Sequence, residues 1–121
     1  MGRTIFVFGS NLAGRHGKGA ALYAATHYGA VRGVGSGITG SAYAIPTKDR
    51  SLRVLPIGEI KRYIDTFIEY ARLHNDDVFL ITAIGCGLAG YLPAEISPLF
   101  RDVPENCFVS PRFIPRPSAP D

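Results

Sequence analysis

"DVFLITAIGCGLAGY" (77–91) decides the fold. Its first half is the most apolar run in the chain. Such a run, rich in β-branched and aromatic residues, predicts a strand. Its unbroken apolar character predicts a central strand over 77–85, buried on both faces as in a parallel sheet. The second half drops to Gly85, Cys86, Gly87, Leu88, Ala89 and Gly90 before Tyr91. Large side chains are given up just where the strand ends, which clears the backbone for close approach.

Outward from this stretch, apolar strands and helical patterns alternate. "TIFVF" (4–8) reads as a buried strand ending at Gly9, and "SNLAGRHG" then turns the chain. "KGAALYAATHY" (18–28) reads as a helix closed by Gly29. "RGVGSGITG" (32–40) reads as a glycine loop, and "SAYAIP" (41–46) as a short strand that Pro46 stops. Ile60, Tyr63, Ile64, Phe67, Ile68 and Ala71 recur at helical spacing, with Lys61, Arg62, Asp65, Glu69 and Arg72 on the opposite face. Glu59 opens this helix and His74-Asn75 closes it. "YLPAEISPLF" (91–100) places Pro93 at a first helical position, while Pro98 shortens the helix. "ENCFVS" (105–110) reads as a last strand. The order predicts one layered α/β domain over 1–110, with a largely parallel central sheet flanked by helices. A Pro-rich tail (111–121) is expected to be extended.

Composition narrows the function classes. Apolar residues make up 46% and charged residues 19% of the 121 residues, as in a globular chain. No apolar run reaches the 18 or so residues of a membrane span, and "MGRTIFVFGSN" lacks a signal-peptide pattern. Cys86 and Cys107 sit far apart among apolar neighbours, which predicts reduced core thiols and a cytoplasmic protein. The net charge of +3 leans only slightly toward anionic partners, and no basic run marks a nucleic-acid footprint. No His, Cys, Asp or Glu cluster has metal-ligand spacing, so neither a metal nor a cofactor is expected.

The glycines are gathered into "GRHGKG" (14–19), "GVGSGITG" (33–40) and "GCGLAG" (85–90). Two of these loops leave the carboxyl ends of strands, where open α/β sheets hold ligands. Amides of such loops can converge on phosphate oxygens, and a helix N-terminus adds positive potential. Two loops side by side suit a diphosphate. Neither is a Walker A or a dinucleotide fingerprint. The alternative reading is tight turns with close helix packing. Lys18 and His16 are candidate ligand contacts. Cys86 reads as a small spacer facing the core.

"VFGSNLAGRHGKGAALYAA" (7–25) and "ITAIGCGLAGYLPAEI" (81–96) resemble the two loop motifs of the macro domain, a module that binds ADP-ribose and related nucleotides. The resemblance runs from about Thr4 to Phe108 and implies a three-layer macro-domain-like fold. "YAIPTK" (43–48) with "IGCGL" (84–88) looks most like the subgroup that removes ADP-ribose with a lysine, and Lys48 falls at that lysine position. Ala89 stands where that subgroup has an aspartate. A methyl cannot accept a proton, so the resemblance implies the pocket more than the reaction. The compact form also resembles phage-encoded proteins of unassigned role. The implied ligand-binding residues are Gly9, Ser10, Asn11 and Leu12 after the first strand, and Gly17, Lys18, Gly19 and Ala20 at the first helix. The later loop adds Ile84, Gly85, Cys86, Gly87, Leu88, Ala89, Gly90 and Tyr91. Asn11 would orient the distal ribose, and Tyr91 would pack on it. No acidic residue precedes Asp49 to read an adenine amine, which leaves room for another nucleotide. The expectation is a binder of ADP-ribose or a related nucleotide diphosphate. The alternatives are an ADP-ribosyl hydrolase using Lys48, and a protein- or nucleic-acid-interaction module without a small ligand.

Overall fold

A computed structural model describes residues 2–113. The elements are β1 (Thr4–Asn11), α1 (Gly19–His27), β2 (Gly37–Thr39), β3 (Ala42–Lys48), α2 (Ile57–Leu73), β4 (Val78–Ile81), α3 (Pro93–Ile96) and β5 (Cys107–Val109). Single 3-10 turns cover Ser97–Phe100 and Pro111–Phe113. One sheet has the order β2-β3-β1-β4-β5. β1 pairs in parallel with both β3 and β4, and β4 with β5, while β2 alone runs antiparallel. The α/β class and the flanked, largely parallel sheet are as expected.

Alternation along the strands sorts side chains onto two faces. Ile5, Val7, Tyr43, Ile45, Phe79 and Ile81 form one face, against Ile60, Ile64, Phe67 and Ala71 of α2. Phe67 is the hub, edge-on to Tyr43 and Phe79 at 5.0 and 5.5 Å. On the other face Phe8, Ala42 and Ala44 meet Ala21 and Ala24 of α1. Small residues on both sides let this short helix lie close to the sheet. α1 packs against β1, and it leaves Val78, Leu80 and Phe108 of β4 and β5 exposed.

Four readings are corrected. The central strand is β1, and β4 is a four-residue strand that buries only Phe79 and Ile81. Its apolar run reflects β-propensity on a half-covered face rather than burial on both. Pro46 does not stop its strand, which continues to Lys48. β2 pairs only as far as Ala44, so the missing proline N–H falls where one ladder has ended. The 32–40 glycine loop contains β2. The domain does not close at residue 110: Phe113 is buried, with its ring 5.8 Å from Phe100. Residues 114–121 of the Pro-rich tail lie outside the described residues. Elsewhere the pattern holds. Pro93 opens α3, Pro98 limits it to four residues before the 3-10 turn, and Glu95 Oε1 accepts the Leu92 N–H at 2.9 Å.

Candidate functional site

The four parallel strands end on the same side of the sheet, and a cleft of about 660 Å³ opens there. Each strand contributes. β1 and the turn after it bring Gly9, Ser10, Asn11 and Arg15. β3 and its following turn bring Thr47, Lys48 and Leu52. The segment after β4 brings Thr82 to Gly85 and Gly87 to Ala89. Arg112 arrives after β5. The start of α1 closes the cleft with Lys18, Gly19, Ala20 and Ala21, beside Gly17.

The first loop is braced from within. Asn11 Oδ1 accepts the Arg15 N–H, and Asn11 Nδ2 donates to the Arg15 carbonyl, both at 3.0 Å. This bidentate clasp occupies the side chain that the macro-domain resemblance assigns to a ribose. Gly35 abuts the backbone of Asn11 and Leu12 so closely that any Cβ there would collide with the Asn11 carbonyl. Ser10 Oγ donates to the Gly35 carbonyl across the same contact. His16 lies beneath the loop and does not line the cleft. Its Nε2 donates to the Val31 carbonyl at 3.1 Å, and its ring stands edge-on to Phe8.

α1 begins with Leu22 N–H bonded to the Lys18 carbonyl at 3.1 Å. The amides of Gly19, Ala20 and Ala21 precede that bond and have no intrahelical acceptor. The first turn holds no acidic residue, so positive potential of the helix end faces the cleft uncancelled.

The second loop turns at Gly85, whose φ of +79° suits glycine and whose carbonyl accepts the Tyr91 N–H at 2.8 Å. Gly87, by contrast, has ordinary φ, and nothing lies within 4 Å of the position a Cβ would take. Gly17 is the same. Packing and backbone conformation account for Gly35 and Gly85, and neither accounts for Gly17 or Gly87.

Leu12, His16, Cys86, Gly90 and Tyr91 do not line the cleft, whereas the other residues proposed for the site do, Lys48 among them. Tyr91 turns inward, donating from Oη to the Leu55 carbonyl at 2.6 Å. Cys86 packs against the main core. Burial raises its thiol pKa, the Arg112 charge offsets part of this, and Glu95 adds to it. A raised thiol is a poor nucleophile. The cleft also contains residues the sequence reading did not single out, chiefly Arg15, Leu52 and Arg112. Arg112 is carried in because the Ser110 N–H pairs with the Ile81 carbonyl, and Ser110 Oγ then accepts the Arg112 N–H.

Four cations therefore line the cleft, Arg15, Lys18, Lys48 and Arg112, with no carboxylate among the described lining residues. Lys61–Asp65 is the one ion pair among the described residues, so none of the four is neutralised by such a pair. Asp49, next to Lys48 in sequence, directs Oδ1 to the Ser51 and Arg53 amides instead.

No protein-family model matches the chain, and no curated protein does. A solved structure of a protein of unknown function from Bacteroides thetaiotaomicron is similar, with a TM-score of 0.60 at 14% identity, over 83% of this chain and 79% of that one. At that identity the likeness bears on the fold alone. No helix among the described residues is long and apolar enough to cross a membrane.

Proposed function

We propose that the cleft binds ADP-ribose or a related nucleotide diphosphate, as the macro-domain resemblance implies. The observation that carries this reading is the bare glycine backbone at Gly17 and Gly87 in a cleft with four cations and no carboxylate. A diphosphate needs amides and cations that converge without competing anions. The free amides at the start of α1 meet that requirement from one side, and the 85–89 loop meets it from the other. The volume falls within the usual range for small-molecule sites, about 300–1,000 Å³.

Lys48 acts here as a phosphate partner rather than a nucleophile. Hydrolysis needs a group that accepts or delivers a proton near the scissile bond. Ala89 lines the cleft where the lysine-using subgroup has its aspartate, and no histidine or carboxylate lines it among the described residues.

Calorimetry with ADP-ribose at fixed salt tests the reading. Binding should weaken as salt is raised, and Lys18→Ala and Lys48→Ala should each weaken it while the ligand stays chemically intact. Absence of heat and of any thermal shift with millimolar ADP-ribose, ADP and pyrophosphate would sink it. Release of free ADP-ribose from a modified protein would restore the hydrolase reading.

A further inference from the structure

The turn after β3 holds the one non-glycine residue in the left-handed region among the described residues, Leu52, with φ +64°. That conformation is strained for leucine and natural for glycine. Four hydrogen bonds organised by Asp49 keep it there. Leu52 N–H donates to the Asp49 carbonyl at 3.1 Å, and Asp49 N–H donates to the Arg53 carbonyl at 2.8 Å. Asp49 Oδ1 accepts the Ser51 and Arg53 amides at 2.8 and 2.9 Å. The side chain so placed is not core: it is 42% exposed and lines the cleft. Leu88, 69% exposed, lines the cleft from the loop after β4. β3 and β4 flank β1, so the two leucines enter from turns on opposite sides of the central strand.

The neutral polar side chains of the cleft point to the same conclusion from another direction. Ser10 Oγ donates to the Gly35 carbonyl, Thr47 Oγ to Ser10 at 3.2 Å, and Thr82 Oγ to Val7 at 2.8 Å. The Asn11 amide is clasped to Arg15 at both ends. Every hydroxyl proton in the lining is already committed to the protein's own backbone, and no carboxylate is present. With Arg15, Lys18, Lys48 and Arg112 engaged by the diphosphate, a base edge meets no neutral polar side chain set aside to read it, and what remains for a flat ring is the apolar surface of Leu52 and Leu88.

We infer that Leu52 and Leu88 form a base-tolerant subsite, which makes the ligand class nucleoside diphosphates and their conjugates irrespective of base; this rests on the anion-binding reading above. Sites that hydrogen-bond a group reject analogues lacking it by orders of magnitude, whereas apolar walls discriminate weakly. The strain at Leu52 is the cost of presenting one wall.

The test is calorimetry at fixed low salt with ADP, GDP, UDP, CDP and inorganic pyrophosphate, on the wild type, Leu52→Gly and Leu88→Ala. The four nucleotides should bind within about threefold of one another and about tenfold tighter than pyrophosphate, from the apolar area a base covers. Leu52→Gly should weaken all four about fivefold and leave pyrophosphate unchanged, with a melting temperature no lower than the wild type because glycine relieves the φ strain. A preference above tenfold for one base would overturn the inference. So would unchanged nucleotide affinity in Leu52→Gly while pyrophosphate still binds, and in both cases the anion cleft would stand. Failure of every ligand, pyrophosphate included, would remove the cleft reading and this inference with it.

Discussion

Gly87→Glu places a negative charge in the cleft without a steric excuse. Nothing lies within 4 Å of the Cβ position, and φ is one that any residue adopts. The new side chain extends into the space lined by Lys18, Lys48 and Arg112, where a diphosphate would sit. Two unit charges about 6 Å apart interact by about 3 kcal/mol at an effective dielectric of about 20. The cleft mouth is open to water, and screening there reduces this to about 1.5 kcal/mol. Affinity for ADP-ribose should fall about tenfold, with the melting temperature unchanged. Gly87→Gln has the same shape without the charge and should bind within about twofold of the wild type. Isothermal calorimetry at two salt concentrations separates the cases, since the Glu penalty shrinks as salt rises. Equal affinity of wild type and Gly87→Glu would refute the reasoning. So would an equal loss in Gly87→Gln, because bulk rather than charge would then be responsible.

Other expectations can be checked by unfolding and labelling. Gly35→Ala must push the Asn11 and Leu12 backbone aside, and it should unfold the first loop or the whole domain, seen as lost binding together with a lower urea midpoint. Phe113→Ala removes a buried ring tilted against Phe100 and should cost about 3 kcal/mol in urea denaturation; a neutral result would return residues 111–113 to the tail. Burial pushes the Cys107 thiol from 9.0 to about 11. The folded pKa lies above the unfolded one, so this stabilisation is full below about pH 9 and is lost as pH rises through about 11. Melting temperature should fall over that window, less steeply in Cys107→Val. Iodoacetamide at pH 8 should label Cys86 and Cys107 far more slowly than in urea; fast labelling of Cys86 in the folded protein would contradict its raised thiol.

Much of this architecture is legible in sequence where periodicity is strong. α2 carries its apolar positions at helical spacing, and Ile60, Ile64, Phe67, Ile68 and Ala71 are all buried. Weak or short signals mislead. β2 has three residues inside a glycine run, and its existence depends on pairing with β3 rather than on its own composition. The apolar run at 77–85 looks doubly buried because Val78 and Leu80 suit a strand, yet both are exposed beyond the cover of α1. Gly17, Gly19, Gly85, Gly87 and Lys18 could be picked out as cleft residues because glycine clusters and strand ends are local features, and Lys48 through the macro-domain resemblance. Arg112 could not, since it belongs by composition to a proline-rich tail and reaches the cleft only through the parallel placement of β5. Tyr91 and Cys86 share their motif with lining residues, but the turn at Gly85 sends both inward. Leu52 had no signal at all, because a left-handed leucine is indistinguishable in sequence from any other.

The position of β1 has a consequence for how the chain assembles. The strand that precedes the other four in sequence becomes the middle of the sheet. Its residue Phe6 pairs with Ala42, and Thr4 pairs with Val78. Only the short β2–β3 hairpin can close from neighbouring sequence, so β1 must wait, unpaired on one edge, until β4, more than seventy residues further on, has been made. Parallel pairings over such separations close slowly, and a nascent "TIFVF" is the segment that chaperones would have to shield in the meantime.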